Sequence, residues 1–136
     1  MIGRIDHVGI AVVSIAEARR FYESMGLVVE HLEEVEAEGV RVAMIPVGES
    51  RIELLEATRP DSPIAKFIAR RGPGIHHLCL ASDDLAADDA RLSDAGVERL
   101  RPEPTRGAGG CWVQFVHPRS AGGVLVELAQ AGEEER

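Results

Sequence analysis

One short pattern written twice constrains this chain more than any other feature. Ile5-Asp6-His7-Val8-Gly9-Ile10-Ala11 returns as Ile75-His76-His77-Leu78-Cys79-Leu80-Ala81. The same offset separates Gly26-Leu27 from Gly96-Val97, and each of these pairs closes a helix-like stretch. Each copy then ends on an aliphatic segment interrupted by one acid, Ile52-Glu53-Leu54-Leu55 and Val126-Glu127-Leu128-Ala129. Self-similarity in both content and order marks a duplicated supersecondary unit. Every repeat offers one His on its first strand and one Glu on its last. His7, Glu53, His77 and Glu127 therefore read as the parts of a divided metal site.

Local patterns give the units their shape. Residues 4–13 are rich in Ile and Val, as in a strand buried on both faces. Ser14, followed three residues later by Glu17, has capping-box spacing, and Ile15, Ala18, Phe21, Tyr22 and Met25 then fall on one helical face ending at Gly26. Val28 to Glu38 is expected to form a strand and turn hinged at Gly39. A hairpin is expected from 40–46 and 51–55 around Gly48-Glu49-Ser50. Residues 57–73 read as a linker with a short helix that Ser62-Pro63 begins and Gly72-Pro73-Gly74 ends. The second copy predicts strand 75–82 and helix 84–95, with Leu85, Ala86, Ala90 and Leu92 inward. Strands 97–101, 111–117 and 124–129 follow, with a Pro- and Gly-rich loop from Pro102 to Gly110 and a turn over His117–Gly123.

The order is βαβββ twice, an α+β arrangement within one domain over residues 1–136. Module 1 spans about 4–56 and module 2 about 74–130, and 131–136 is a tail, of which Glu133–Arg136 should be solvated. A four-stranded sheet with one helix leaves a face uncovered. The two sheets are therefore expected to pair into a partly open, eight-stranded, barrel-like cup with the helices outside. That pairing would bring His7, Glu53, His77 and Glu127 to a common hollow.

Composition removes several classes of partner. With 15 basic and 23 acidic residues the formal charge is −8, which disfavours nucleic acid and anionic membrane. No apolar run approaches the roughly 20 residues that span a bilayer. The opening residues lack a basic start and apolar core, so a cytoplasmic location is expected. Cys79 and Cys111 do not form a CxxC pair and read as reduced thiols.

Taken together, these residues carry a resemblance. Two βαβββ modules with a His on each first strand and a carboxylate on each last strand resemble the vicinal oxygen chelate superfamily. Asp6–Val12, Arg51–Glu56, Gly74–Cys79, His117-Pro118-Arg119-Ser120 and Gly123–Leu128, in that order, resemble its methylmalonyl-CoA epimerase family. The likeness extends to Asp61-Ser62-Pro63-Ile64 and to the Gly107–Gly110 loop.

The resemblance implies metal ligands at His7, Glu53, His77 and Glu127. It also implies an acyl-CoA substrate and a homodimer. The reaction is interconversion of the two C2 epimers by proton removal and return, linking propionyl-CoA carboxylation to a cobalamin-dependent mutase. A divalent cation would polarise the thioester oxygen, and Co²⁺, Mn²⁺, Zn²⁺ and Ni²⁺ all suit two imidazoles with two carboxylates. Some relatives carry an acid three residues after the position of Gly39, proposed as a catalytic base, where this chain has Val42. Proton handling on the two faces of C2 is accordingly assigned to Glu53 and Glu127.

Other readings compete. A glyoxalase I-like lyase acting on a glutathione hemithioacetal would use the same ligand types. A drug-sequestering resistance protein would need an aromatic cleft, yet aromatics are only 4% with Trp112 and Tyr22 the single Trp and Tyr. A dioxygenase iron site usually takes two His and one carboxylate, so a fourth ligand counts against it. His117, Arg119 and Ser120 either form a turn or line the substrate pocket. Lys66, Arg70 and Arg71 read as a solvated helix face with CoA phosphates as the alternative, and Gly107–Gly110 as a flexible or close-packed loop, with an anion cradled by its backbone amides as the alternative. His76 faces away from His77, and His31 carries no functional signal.

Overall fold

Both copies of the repeat fold as strand, helix and further strands, and in both the first strand lies parallel to the last. The computed structural model describes Met1–Gly132; the expected tail at Glu133–Arg136 falls outside the described residues. The chain divides into two units, one of His7–His76 and one of Met1–Asp6 with the chain from His77 onward. The observed element types match the α+β expectation.

The first unit holds α1 (Ile15–Ser24), β2 (His31–Val35), β3 (Val40–Val47), β4 (Ser50–Ala57), α2 (Pro63–Arg71) and the C-terminal part of β1 (Ile2–Ala11). Its strands run in the order β2-β3-β4-β1, antiparallel except where β1 meets β4 in parallel. The β3–β4 hairpin turns through Gly48-Glu49 between paired Val47 and Ser50, with Gly48 at φ 59° supplying the positive φ such a loop needs. Strand alternation divides the apolar side chains between two faces. Ala43, Ile45 and Leu54 pack with Val12 and Ile15 beneath α1. Val40, Val42 and Leu55 pack with Ala11 and with Ile64 and Phe67 of α2. Phe21 and Met25, expected inward, are exposed, because Ile15, Ala18 and Tyr22 alone define the stripe that meets the sheet.

The second unit holds β5 (Gly74–Ser82, from His77 onward), α3 (Leu85–Asp94), β6 (Thr105–Arg106), β7 (Trp112–Val116) and β8 (Val126–Gln130). Their order is β5-β8-β7-β6, with β5 and β8 parallel. Two expectations fail here. No continuous strand forms over 97–101: only an Arg99–Val116 bridge and the bonds Leu100 N to Phe115 O and His117 N to Glu98 O are made. Pro102 and Pro104 have no N–H to extend the ladder, so regular pairing resumes only at Thr105. Ala86 and Ala90 face solvent, and Leu85, Asp88 and Asp89 are the buried residues of α3.

The acids of α3 lie inside because they are answered there. The Ser82 hydroxyl donates to Asp88 at 2.6 Å. Arg99 Nη1 meets both Asp89 oxygens at 2.8 and 2.9 Å, and fully buried Gln114 donates to Asp89 Oδ1 at 3.2 Å. Where the first unit packs its helix on aliphatics, the second uses a polar network.

One device recurs in both units. The first amide of α1, on Ile15, donates to Glu56 Oε1 at 2.6 Å, and that of α3, on Leu85, donates to Gln130 Oε1 at 2.7 Å. Each acceptor lies at the end of a unit's last strand, three residues beyond the acid of the repeat. The N-caps Ser14 and Asp84 accept from Glu17 N and Ala87 N, each at 3.2 Å. Among the described residues no helix is long and apolar enough to cross a membrane.

Replacing Glu56 or Gln130 by Ala strands a helix-terminal amide, and each change should lower stability by about 1–3 kcal/mol in urea denaturation. Glu56→Ala should cost the more, because the lost acceptor also receives Arg41 Nη1 at 3.2 Å. Wild-type midpoints for both would refute the role of the device.

Asp88 yields a second prediction. The Ser82 hydrogen bond, aided by the amino terminus and Arg91, lowers its pKa. A carboxylate lowered in the fold stabilises it above the unfolded value of about 3.9, and that contribution fades as pH falls through the folded value. Ser82→Ala should therefore show its full destabilisation at pH 7 and a smaller one below about pH 4. A penalty independent of pH would contradict it.

Candidate metal centre

The parallel strand pair in each unit presents one imidazole beside one carboxylate. In the first unit β1 sets His7 level with Arg51 of β4, and Glu53 lies two residues along β4, on the same face as Arg51. His7 Nδ1 lies 3.3 Å from Glu53 Oε2. Arg51 Nε donates to that same oxygen at 2.8 Å. His7 and Glu53 are 5% and 4% exposed.

The second unit repeats the arrangement on β5 and β8. Cys79 is level with Glu127, and His77, two residues earlier on β5, shares the face of Cys79. His77 Nε2 lies 3.1 Å from Glu127 Oε1, and the two residues are 7% and 9% exposed. Phe115, level with Glu127 on β7, meets the His77 ring edge to face at 6.3 Å. Arg101 stands 5.2 Å over the same Phe115 ring.

Neighbouring strands thus supply both partners of each pair, and the aliphatic residues that flank them keep the pairs dry. A buried carboxylate is expensive unless a charge or donors answer it. Each unit thus offers one imidazole nitrogen and one carboxylate, donor types that suit first-row divalent cations. Burial and donor chemistry both fit such an ion.

The remaining candidates have local partners. His117 caps the one-turn helix Pro118–Ser120, with Nδ1 accepting from Arg119 N at 3.1 Å. Arg119 pairs with Glu98 at 3.0 Å, and the Ser120 hydroxyl accepts from Glu98 N at 3.1 Å. These contacts fasten the turn to the segment after α3. His76 packs edge to face on Phe67 at 5.0 Å, and His31 pairs with Glu33 at 3.1 Å. Lys66, Arg70 and Arg71 are exposed, Arg71 standing 5.7 Å over the Phe67 ring. Val42 is 2% exposed in the first unit's core, level with Glu33 and Leu55, so no acid occupies that place. Of the two loop readings, Gly107 takes the close-packed one, since an added Cβ would lie 3.1 Å from Val113. Cys79 is buried and Cys111 half-buried.

Arg51 is the residue that sequence reasoning passed over. Its signal was present: a basic residue two places before a buried acid on a strand shares that acid's face.

Comparisons with known proteins place the chain in a family. The profile described as the Glyoxalase/Bleomycin resistance protein/Dioxygenase superfamily matches residues 6–115. The ethylmalonyl-CoA/methylmalonyl-CoA epimerase of Cereibacter sphaeroides is 40% identical, over 96% of this chain and 99% of that protein. The mitochondrial methylmalonyl-CoA epimerase of Homo sapiens is 38% identical, over 96% of this chain and 75% of that protein. The crystallised Streptomyces coelicolor methylmalonyl-CoA epimerase, a variant in complex with 2-nitronate-propionyl-CoA, shares 39% identity. It superposes with a TM-score of 0.93 over 98% of this chain and 97% of that one. The chain belongs to the glyoxalase/bleomycin resistance protein/dioxygenase superfamily and, within it, to the methylmalonyl-CoA epimerase family.

Proposed function

We propose that this chain is a metal-dependent epimerase that interconverts (R)- and (S)-methylmalonyl-CoA. The observation that carries the reading is the buried His–Glu pair repeated in the two units, His7 with Glu53 and His77 with Glu127, in a chain of this family. We assign all four side chains to a single divalent cation, Co²⁺, Mn²⁺, Zn²⁺ or Ni²⁺. When bound, that cation supplies a Lewis acid worth several kcal/mol where negative charge develops on the substrate oxygens.

The rest of the reaction falls to the chain's own groups. The proton to be moved sits on C2, between a carboxylate and a thioester carbonyl. One glutamate takes it as a general base, and the electron pair of the C–H bond passes toward the thioester oxygen. A proton is then returned to C2 on the opposite face, and the electron pair returns with it. Substrate and product have the same atoms and the opposite configuration. General acid–base help of this kind is typically worth about 10²–10⁴ in rate. Glu53 and Glu127 are the acids we assign to the two faces, because Val42 offers none. His117, Arg119 and Ser120 are assigned to the acyl-CoA pocket. The reading extends to a cytoplasmic homodimer in propionate metabolism, acting between propionyl-CoA carboxylation and the cobalamin-dependent mutase.

Methylmalonyl-CoA incubated with the protein in D₂O should take up deuterium at C2, followed by mass spectrometry, while a glutathione hemithioacetal should give no lactoylthioester absorbance. Glu127→Gln and Glu53→Gln should each lower exchange by about 10²-fold or more with unfolding midpoints retained. Full exchange in either variant would remove that residue from the chemistry.

Stripping divalent cations with a chelator should abolish exchange and lower the melting temperature, and adding back Co²⁺ should restore both. An enzyme that keeps full activity in chelator refutes the metal assignment.

A further inference from the structure

We propose that Arg51 is a positioning residue that fastens Glu53 in its ligating orientation, an inference that rests on reading Glu53 as a ligand of the cation. Arg51 and Glu53 leave β4 on one face, and Arg51 stands level with His7 across the parallel ladder. Its Nε donates to Glu53 Oε2 at 2.8 Å, the oxygen that His7 Nδ1 approaches at 3.3 Å. The Glu53 side chain is 5% exposed and that of Arg51 28%. A partly exposed guanidinium thus holds one oxygen of a buried carboxylate.

A carboxylate is planar, so securing one oxygen with a charge-assisted bond also sets the direction of the other. Holding both the plane and the rotamer before any ion arrives removes part of the ordering cost of binding. Partners that orient metal ligands in this way commonly change metal affinity 10–100-fold. The positive charge of Arg51 acts in the opposite sense, since it repels an incoming cation. The two effects can be separated. Gln at position 51 keeps a donor and loses the charge, Met loses both, and Lys keeps the charge without the planar fork.

The experiment measures Co²⁺ binding to metal-free wild type, R51Q, R51M and R51K by calorimetry, together with the visible spectrum of each Co²⁺-loaded protein. R51M should bind Co²⁺ at least about tenfold more weakly, with an altered d–d band. R51Q should bind Co²⁺ at least as tightly as wild type, with an unchanged spectrum. R51M binding as tightly as wild type or more tightly, with an unchanged spectrum, overturns the inference, because the guanidinium would then only balance charge. R51Q as weak as R51M overturns it too, because the donor it keeps would then not be what holds Glu53. If R51M does not fold, R51K decides: weaker binding with an altered band supports the inference, and wild-type behaviour overturns it. Wild type that takes up no Co²⁺ defeats the ligand reading itself, and this inference falls with it.

Discussion

A carboxylate set within an apolar strand and matched by an imidazole from the parallel strand beside it is the interaction on which the rest depends. Glu53 and Glu127 are each buried, and each finds its His within 3.3 Å in the same unit. Burial of an unanswered carboxylate would oppose folding by several kcal/mol. The first and last strands of each unit are therefore neighbours for an electrostatic as well as a topological reason. The parallel ladder sets the imidazole and the acid on one face, and the aliphatic neighbours of the acid pack on the other or along it.

The same strands hold the helices. Glu56 and Gln130 each sit three residues past the buried acid, which carries them to the end of the last strand, and each accepts the first amide of its unit's helix. An odd spacing puts them on the face opposite the acid, where the helix lies. One strand thus turns a buried, His-paired acid to one side and a helix-capping acceptor to the other. The cap and the buried acid are linked by strand geometry.

Duplication did not keep the two interiors alike. Beneath α1 the first unit packs Val12, Ile15, Ala43, Ile45 and Leu54, whereas α3 turns Asp88 and Asp89 inward onto Ser82, Arg99 and Gln114. A helical periodicity read from apolar residues alone misses the second arrangement, because it assigns Ala86 and Ala90 to the core and the acids to water. The expected strand over 97–101 fails for a related reason. Arg99 turns to Asp89, and the prolines that follow cannot donate to a ladder.

The amino-acid sequence by itself determined most of the duplicated order of elements, the Ser14 and Ser62 caps, the hairpin at Gly48, and the repeated His and Glu that the structure pairs as His7 with Glu53 and His77 with Glu127. Periodicity, turn residues and repetition are local or translational signals, and a single chain displays them without folding. Only the tertiary structure decided which nitrogen meets which oxygen, that Arg51 holds Glu53, that His117 caps a turn, and that two aspartates belong inside the second unit. Arg51 and His117 act within one segment, but the His–Glu pairs and the inward aspartates depend on side chains from separate strands and helices meeting at hydrogen-bond distance. Such pairings are fixed by packing in three dimensions, and no spacing along the chain encodes them.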